Sequence, residues 1–398
     1  MAWVAGLVIA AALSFVASEL GSRWWIRRYG GYRVWPPGAR LELRQDPEVF
    51  AEVEPRVRFE INDEGERGGD VPRDTAGLYR VLVAGGSAAE CFAVDQPTSW
   101  PGMLERLLND AGSLHTLGVR RVHVGNIAHS GVGSAELDLI LQRMLPQYGR
   151  LNAILIMVGA SDVYHWLEEG APSQPPSTVP ELSLFSCHPQ QPFGWRPGET
   201  ALAEVARRMR RSWLRPVQVK ENVGSWIVTA RKMRAAAKEV LTSVPDPTPV
   251  MDHFEHHFIR LVRRAQAYAD RVLILRQPWF ENHYTPEETA RFWHGGLGKA
   301  WKETITVYYS LEVVNHLLSL VDARVAKVAT ALGVQSLTLR PLLTQRLRQY
   351  YDHDHFTPAG AAVVAGAVAA AMLQHPAAAR PSRTRVVGDS SSAAVAAG

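Results

Sequence analysis

The sequence predicts an α/β protein, a three-layer α/β/α sandwich around a five-stranded parallel sheet with a helical insertion. Three observations carry this. Short Val/Leu/Ile-rich runs recur at Arg80–Ala84, Arg121–Val124 and Ala153–Val158, too short for helices and apolar on both faces, as buried parallel strands are. Each run ends in glycine or small residues: Gly85-Gly86-Ser87, Gly125-Asn126 and Gly159-Ala160-Ser161-Asp162. Between the runs lie helical stripes, Met103, Leu104, Leu107 and Leu108, then Leu137, Ile140, Leu141 and Met144, which completes a βαβαβ order.

The chain has 398 residues, 46% hydrophobic and 21% charged, an ordinary globular balance. A net charge of +4 gives no electrostatic case for nucleic acid. Two cysteines, Cys91 and Cys187, without a CxxC exclude a metal finger or a disulfide framework; they read as buried free thiols, a single bridge being the alternative.

Taken in order, Ala2 to Ser18 is an uncharged, mostly apolar stretch of 17 residues, just long enough to span a bilayer. Trp24 and Trp25 with Arg23, Arg27 and Arg28 form an interfacial belt behind it. No positive region precedes it, so residues 1–22 read as an uncleaved anchor, with a signal peptide as the alternative. Residues 23–78 read as an irregular arm, marked by Pro36-Pro37 and by the turn-rich run Asp63–Asp70 after a short strand signal at Arg58. The folded domain is expected over 79–374. Pro101 and Ser134 sit where helices begin. The pattern breaks at about 166–269, an insertion made of a Pro/Gly/Ser-rich stretch and Arg-rich helices, in which the Arg207–Arg211 run reads as a solvated face able to touch anionic lipid. A fourth strand is expected at Arg271–Leu275, helix over 286–332, a fifth strand near Val334–Leu339, and a last helix from Thr357-Pro358. Residues 375–398 read as a disordered tail.

The chemistry is concentrated at the strand ends. In open α/β sheets ligands bind at the carboxyl edge, where Ser87 stands after Gly-Gly. Asp352 and His355 are three residues apart before the last helix, a spacing that lets a carboxylate orient an imidazole and stabilise its protonated form. With Ser87 in reach, His355 is then a general base for a nucleophilic serine. Gly131 in NIAHSGVGS offers a backbone N–H and Ser161 a hydroxyl, which with the Ser87 N–H make an oxyanion hole.

These blocks, VLVAGGS, Asn126 to Gly131, GASD and DHDHFTPAG, resemble in order and placement the SGNH (GDSL-type) serine hydrolases, whose sandwich is flavodoxin-like. The resemblance covers residues 80–165 and 270–373. It implies Ser87, His355 and Asp352 as a catalytic triad, Ser87, Gly131 and Ser161 as oxyanion donors, ester hydrolysis, and no metal or other cofactor. Gly86 stands where the family usually has Asp, and Ser161 where it usually has Asn; serine is a shorter donor, which leaves three alternatives, a weaker hole, a water filling the gap, or Asp162 orienting the serine. No GxSxG elbow is present. The anchor and RFEINDEGERGG also resemble membrane-anchored bacterial members of this family. That implies an outward-facing, extracytoplasmic domain acting on O-acyl (O-acetyl) groups of envelope glycans or lipids, although the arginines after the anchor taken alone favour the opposite orientation. An acyltransferase with the same triad and a non-catalytic glycan-binding or assembly protein remain as alternatives. So do a metallohydrolase using His353 and Asp354 beside the triad pair and a zinc face at His253, His256 and His257 with Asp252 and Glu255. The Gly-Gly-Ser loop lacks the lysine of a phosphate-binding loop.

Overall fold

A computed structural model describes residues 1–175, 178–280, 283–344 and 346–374. The expected tail, 375–398, lies outside the described residues.

Among the described residues ten strands form three sheets: β1 (Arg40–Gln45), β2 (Arg56–Glu60), β3 (Leu78–Gly85), β4 (Arg121–Asn126), β5 (Leu151–Met157), β6 (Val217–Val223), β7 (Glu239–Leu241), β8 (Ala269–Arg276), β9 (Val307–Tyr309) and β10 (Gln335–Thr338). The central sheet has five strands in the order β10-β8-β5-β3-β4, all parallel. In chain order that is 2-1-3-4-5, the flavodoxin-like winding, in which the chain leaves β3 first to one side and then to the other. The crevice of such a sheet lies between its first and third strands, here β3 and β5.

Alternation along the strands divides the core. Leu82, Ala84, Ile154, Ile156, Val272 and Ile274 face one layer, where the helices Ser134–Met144, Thr248–Tyr268 and Leu311–Ala331 pack. Val81, Val83, Ala153, Leu155, Leu273 and Leu275 face the other, covered by the helices Trp100–Leu108 and Pro358–Gln374. The expected three-layer sandwich is present.

Three stretches differ from the sequence reading. The arm is not irregular: β1 and β2 pair antiparallel, and β1 takes β6 as a parallel partner on its other side. Within the region read only as Arg-rich helices lie β6, with six of its seven residues exposed, and β7, which pairs with β9. The helix Thr248–Tyr268 buries Phe254, Phe258 and Leu261 against the sheet, so the excursion closes before it rather than at 269. Nor is 286–332 one helical region. It holds a single turn at Pro286–Thr289, a loop, β9 and only then the helix Leu311–Ala331. Both cysteines are free and buried.

The N-terminal helix runs unbroken from Ala2 to Tyr29, and by length and composition its span from Trp3 is apolar enough to cross a membrane. Its second half belongs to the fold. Glu19 and Ile26 are buried, and the Glu19 carboxylate accepts the N–H groups of Ala201 and Leu202 at 2.9 Å each, at the start of the helix Ala201–Leu214.

Candidate active site

Ser87 stands at the first position of a one-turn helix, Ser87–Glu90, directly after β3. Gly85 allows the approach: a Cβ there would lie 2.0 Å from the Met157 carbonyl oxygen, and that same oxygen accepts the Gly86 N–H at 3.0 Å. At the end of β5, Gly159 has φ +140°, a conformation that side chains reject, and a Cβ would meet Val321 at 2.7 Å. These two close crossings put Ser87 and Ser161 on the rims of the β3–β5 crevice.

The Ser87 hydroxyl is 2.7 Å from Nε2 of His355, and Nδ1 of His355 is 2.9 Å from both carboxylate oxygens of Asp352. The Asp352 carboxylate holds the ring proton on Nδ1 and leaves Nε2 to accept from the serine. Asp352, 1% exposed, also accepts the N–H groups of Asp354 and His355 and, at 3.0 Å, the indole N–H of Trp293. Burial alone would raise the Asp352 carboxyl, but His355 holds it below the ordinary carboxylate range. Burial alone would depress His355; the carboxylates of Asp352 and Asp354 outweigh it and push the imidazole up to about 9. The site thus favours the imidazolium that forms when the serine gives up its proton.

Gly131, with φ +74°, and Ser161 line the same cavity as Ser87 and His355. Among the described residues, the N–H groups of Ser87 and Gly131 take no part in the turn and loop hydrogen bonds around them. The Ser161 hydroxyl lies beside Gly86, 3.5 Å from where a Cβ would stand. Asp162 does not orient Ser161. Its carboxylate accepts the N–H of Ser134 at 3.0 Å and the Ser134 hydroxyl at 2.6 Å, pinning the Gly131 loop to the end of β5. Burial pushes Asp162 up to about 7. On the other side Ser130 donates to Glu90, which ties the same loop to the nucleophile turn.

The arm motif serves this turn. Asn62 closes a loop by accepting the N–H groups of Glu64 and Glu66, each at 3.0 Å. The loop presents Arg67, 2% exposed, whose guanidinium donates to the carbonyls of Glu90, Cys91 and Val94 and to the Gln96 side chain. The first two of those carbonyls close the nucleophile turn, where Cys91 has φ +54°. Phe59 of β2 lies under the guanidinium at 4.3 Å.

The cavity beside Ser87 measures about 330 Å³. Trp226 comes from the excursion, Trp293 and Trp301 from the loop before β9, and the Trp226 ring meets each of the other two edge to face. The sequence reading missed Trp293 and His294 because it took their segment as helix; the Gly295-Gly296 pair after them is the signal against helix. The other histidine face is committed elsewhere: Asp252 and Glu255 pair with Arg324, and His257 lies 3.4 Å from Asp138. Arg207, Arg208 and Arg211 pair with Glu204.

The fold is a flavodoxin-like α/β/α sandwich. Its blocks fall at successive strand ends of a 2-1-3-4-5 sheet, with the Asp-x-x-His turn before the last helix. No protein-family model and no curated protein matches the chain. Among solved structures it is similar to a lipolytic protein of the G-D-S-L family from Veillonella parvula, with 7% identity over 73% of this chain and 96% of that one, at a TM-score of 0.38. It is also similar to Axe2, an acetylxylan esterase from Geobacillus stearothermophilus, with 12% identity over 73% and 92% at 0.39. A third is LAE5, an alpha/beta hydrolase from the metagenome of Lake Arreo, Spain, with 13% identity over 74% and 94% at 0.41.

Proposed function

We propose that the protein is a serine hydrolase that cleaves carboxylic esters. The observation that carries this is the unbroken relay from the Ser87 hydroxyl through His355 to buried Asp352, opening on a cavity large enough for a small ester. In this reading Ser87 attacks the ester carbonyl as its proton passes to Nε2 of His355. The N–H groups of Ser87 and Gly131 and the Ser161 hydroxyl receive the developing oxyanion. His355 then protonates the departing alcohol, and a water activated by the same Nε2 resolves the acyl-enzyme.

The substrate we propose is an O-acyl group on an envelope glycan or lipid. The aromatic wall of the cavity and the apolar N-terminal helix support it, the helix acting as an anchor with the domain on the outer side. Acyl transfer by the same triad is the second reading, and the room past the serine, bounded by Trp226 and Trp301, favours it by giving an acceptor alcohol a place. The test is labelling of the full chain in detergent micelles by a fluorophosphonate. Covalent mass is expected on the Ser87 peptide, absent in Ser87→Ala, with the labelling rate down by about 10⁴ in Asp352→Asn, where the wrong tautomer is set. A folded protein that takes no label removes the reading.

A further inference from the structure

Behind the His355 ring, on the side away from Ser87, four side chains converge: His294, Asp352, Asp354 and His355, each offering a ligand atom within 4.8 Å of all the others. We propose that they form a site for a divalent transition cation of the zinc class, and that its occupation switches the serine off.

The spacing fits a four-coordinate ion. Bonds of about 2.0–2.2 Å to nitrogen and oxygen in a tetrahedron set ligand-to-ligand distances of roughly 3.3–3.6 Å. Here His355 Nδ1 is 2.9 Å from Asp352 Oδ1 and 3.4 Å from Asp354 Oδ1, and His294 Nε2 is 3.8 Å from Asp354 Oδ1. The donor set, two imidazoles and two carboxylates, suits zinc.

A second observation points to a ligand. Asp354 is 1% exposed, and its Oδ1, the atom that faces both histidines, has no well-formed hydrogen bond among the described residues, with the Tyr164 hydroxyl as a donor beside the carboxylate. A buried carboxylate oxygen left so keeps its desolvation penalty uncompensated. His294 is 9% exposed and stands too far from that oxygen to satisfy it. A cation between them satisfies both. The outer partners needed to hold the carboxylates are in place, Gln277 on Asp354 Oδ2 at 3.2 Å and the Trp293 indole on Asp352 Oδ2 at 3.0 Å. His294, Asp352 and His355 line the substrate cavity, which gives the ion a way in.

The consequence follows from the tautomer. The cation takes the Nδ1 lone pair of His355: the Nδ1 proton leaves to solvent and Nε2 takes one up from solvent in exchange, so the ring stays neutral with no net proton released. The ring's one proton is then on Nε2, facing Ser87 at 2.7 Å. An Nε2–H can donate but cannot accept the serine proton, so a metal-loaded site and a working triad exclude each other. The switch rests on the hydrolase reading; binding of the ion does not.

The experiment separates the two. Full-length Ser87→Ala protein in micelles, stripped with chelator, is titrated with Co²⁺. Visible bands of four-coordinate cobalt are expected to saturate at one equivalent, to be displaced by Zn²⁺, and to need about tenfold or more cobalt in His294→Gln and Asp354→Asn, checked as folded by circular dichroism. In protein with Ser87 intact, Zn²⁺ is expected to block fluorophosphonate labelling, chelator to restore it, and His294→Gln to raise the blocking concentration by the same factor. Absence of the cobalt bands, or bands unchanged in both variants, overturns the site. Bands with labelling unaffected or accelerated by zinc overturn the switch. If the metal-free protein never takes label, the hydrolase reading has failed and the cobalt spectrum alone decides the site.

Discussion

Replacing Arg67 by methionine tests whether the arm motif is part of the active-site scaffold. The side chain is 2% exposed, and three of its acceptors are main-chain carbonyls, Glu90, Cys91 and Val94, on the segment that follows Ser87. Methionine fills much of the volume and donates nothing. Each orphaned buried carbonyl costs about 1–3 kcal/mol, while removal of a buried charge returns part of that, so a net loss of about 3–5 kcal/mol is expected. Burial already pulls the Arg67 guanidinium down to about 10, which shows the same desolvation acting on the charged form. Against a typical total of about 5–15 kcal/mol the variant stays folded or nearly so. The local effect is sharper. The carbonyls hold the left-handed residue that ends the nucleophile turn, and a displacement of about 1 Å of a reacting group costs about 10²-fold in rate. The assay is denaturant unfolding of the full chain in micelles together with ester turnover. A large drop in kcat with a small change in KM is expected. A stability loss under about 1 kcal/mol with unchanged kcat would refute the reasoning, since the carbonyls would then not depend on Arg67.

The remaining predictions concern the proposed oxyanion donors and acid stability. Ser161→Ala should lower kcat by about 10²–10³ with KM little changed, and Ser161→Asn, which reaches further, should match or exceed the native rate; an unchanged kcat in the alanine variant makes the hydroxyl a bystander. Glu66 is fully buried. Burial alone would raise its carboxyl, but His123 and Arg80 outweigh that and lower it to about 2 from an ordinary 4.5. A depressed carboxyl contributes stability above its unfolded value and loses it as pH falls toward the folded one. Unfolding free energy should therefore drop by on the order of 3 kcal/mol between roughly pH 4.5 and 2, and Glu66→Gln, weaker at neutral pH, should flatten that limb in an acid titration followed by circular dichroism.

What could be read from the sequence and what could not divide along one physical line. The strands β3, β4, β5 and β8 are buried on both faces and read as apolar runs, and the glycines and serines that end them carry the site. Ser87, Gly131, Ser161, Asp352 and His355 were therefore legible from local pattern, and the structure brings all five to one cavity wall or to the groups behind it. Of the arm's strands only β2 gave a signal, at Arg58, and neither its pairing with β1 nor the strands β1 and β6 could be read. They are half-exposed, β6 shows no alternation, and their pairing joins residues such as Arg44 and Glu221 that are 177 positions apart. The alternative that Asp162 orients Ser161 fails for a related reason: adjacency suggested a partner, but at the start of a helix successive side chains diverge, and the Asp162 carboxylate accepts instead from Ser134 across the crevice. His294 and Trp293 reach the triad through a loop whose course depends on the excursion. Arg234 of the helix Ser225–Ala235 donates to the His294 carbonyl, a contact no local pattern announces.

The junction of the apolar helix with the domain yields the last prediction. The uncharged stretch ends at Ser18, and the next residue, Glu19, is already inside the fold, bonded to Arg23 at 2.7 Å and capping the helix Ala201–Leu214. From Glu19 to Tyr29 the helix continues for about 15 Å at the usual rise, with Ile26 buried on the way. Arg23 also reaches the Gly194 carbonyl at 2.9 Å and lies over the Trp195 ring. An apolar helix on a flexible tether would need none of these contacts. Glu19→Ala leaves the apolar stretch intact but strands two N–H groups at the start of a helix, a loss of about 1–2 kcal/mol confined to that element. Hydrogen exchange on the full chain should then quicken by about one to two orders of magnitude across the first turns of Ala201–Leu214, while β3 and β5 keep their protection. Equal protection in the variant would mean that the domain is held to the helix by Ile26 and its neighbours alone, and that Glu19 is a passenger.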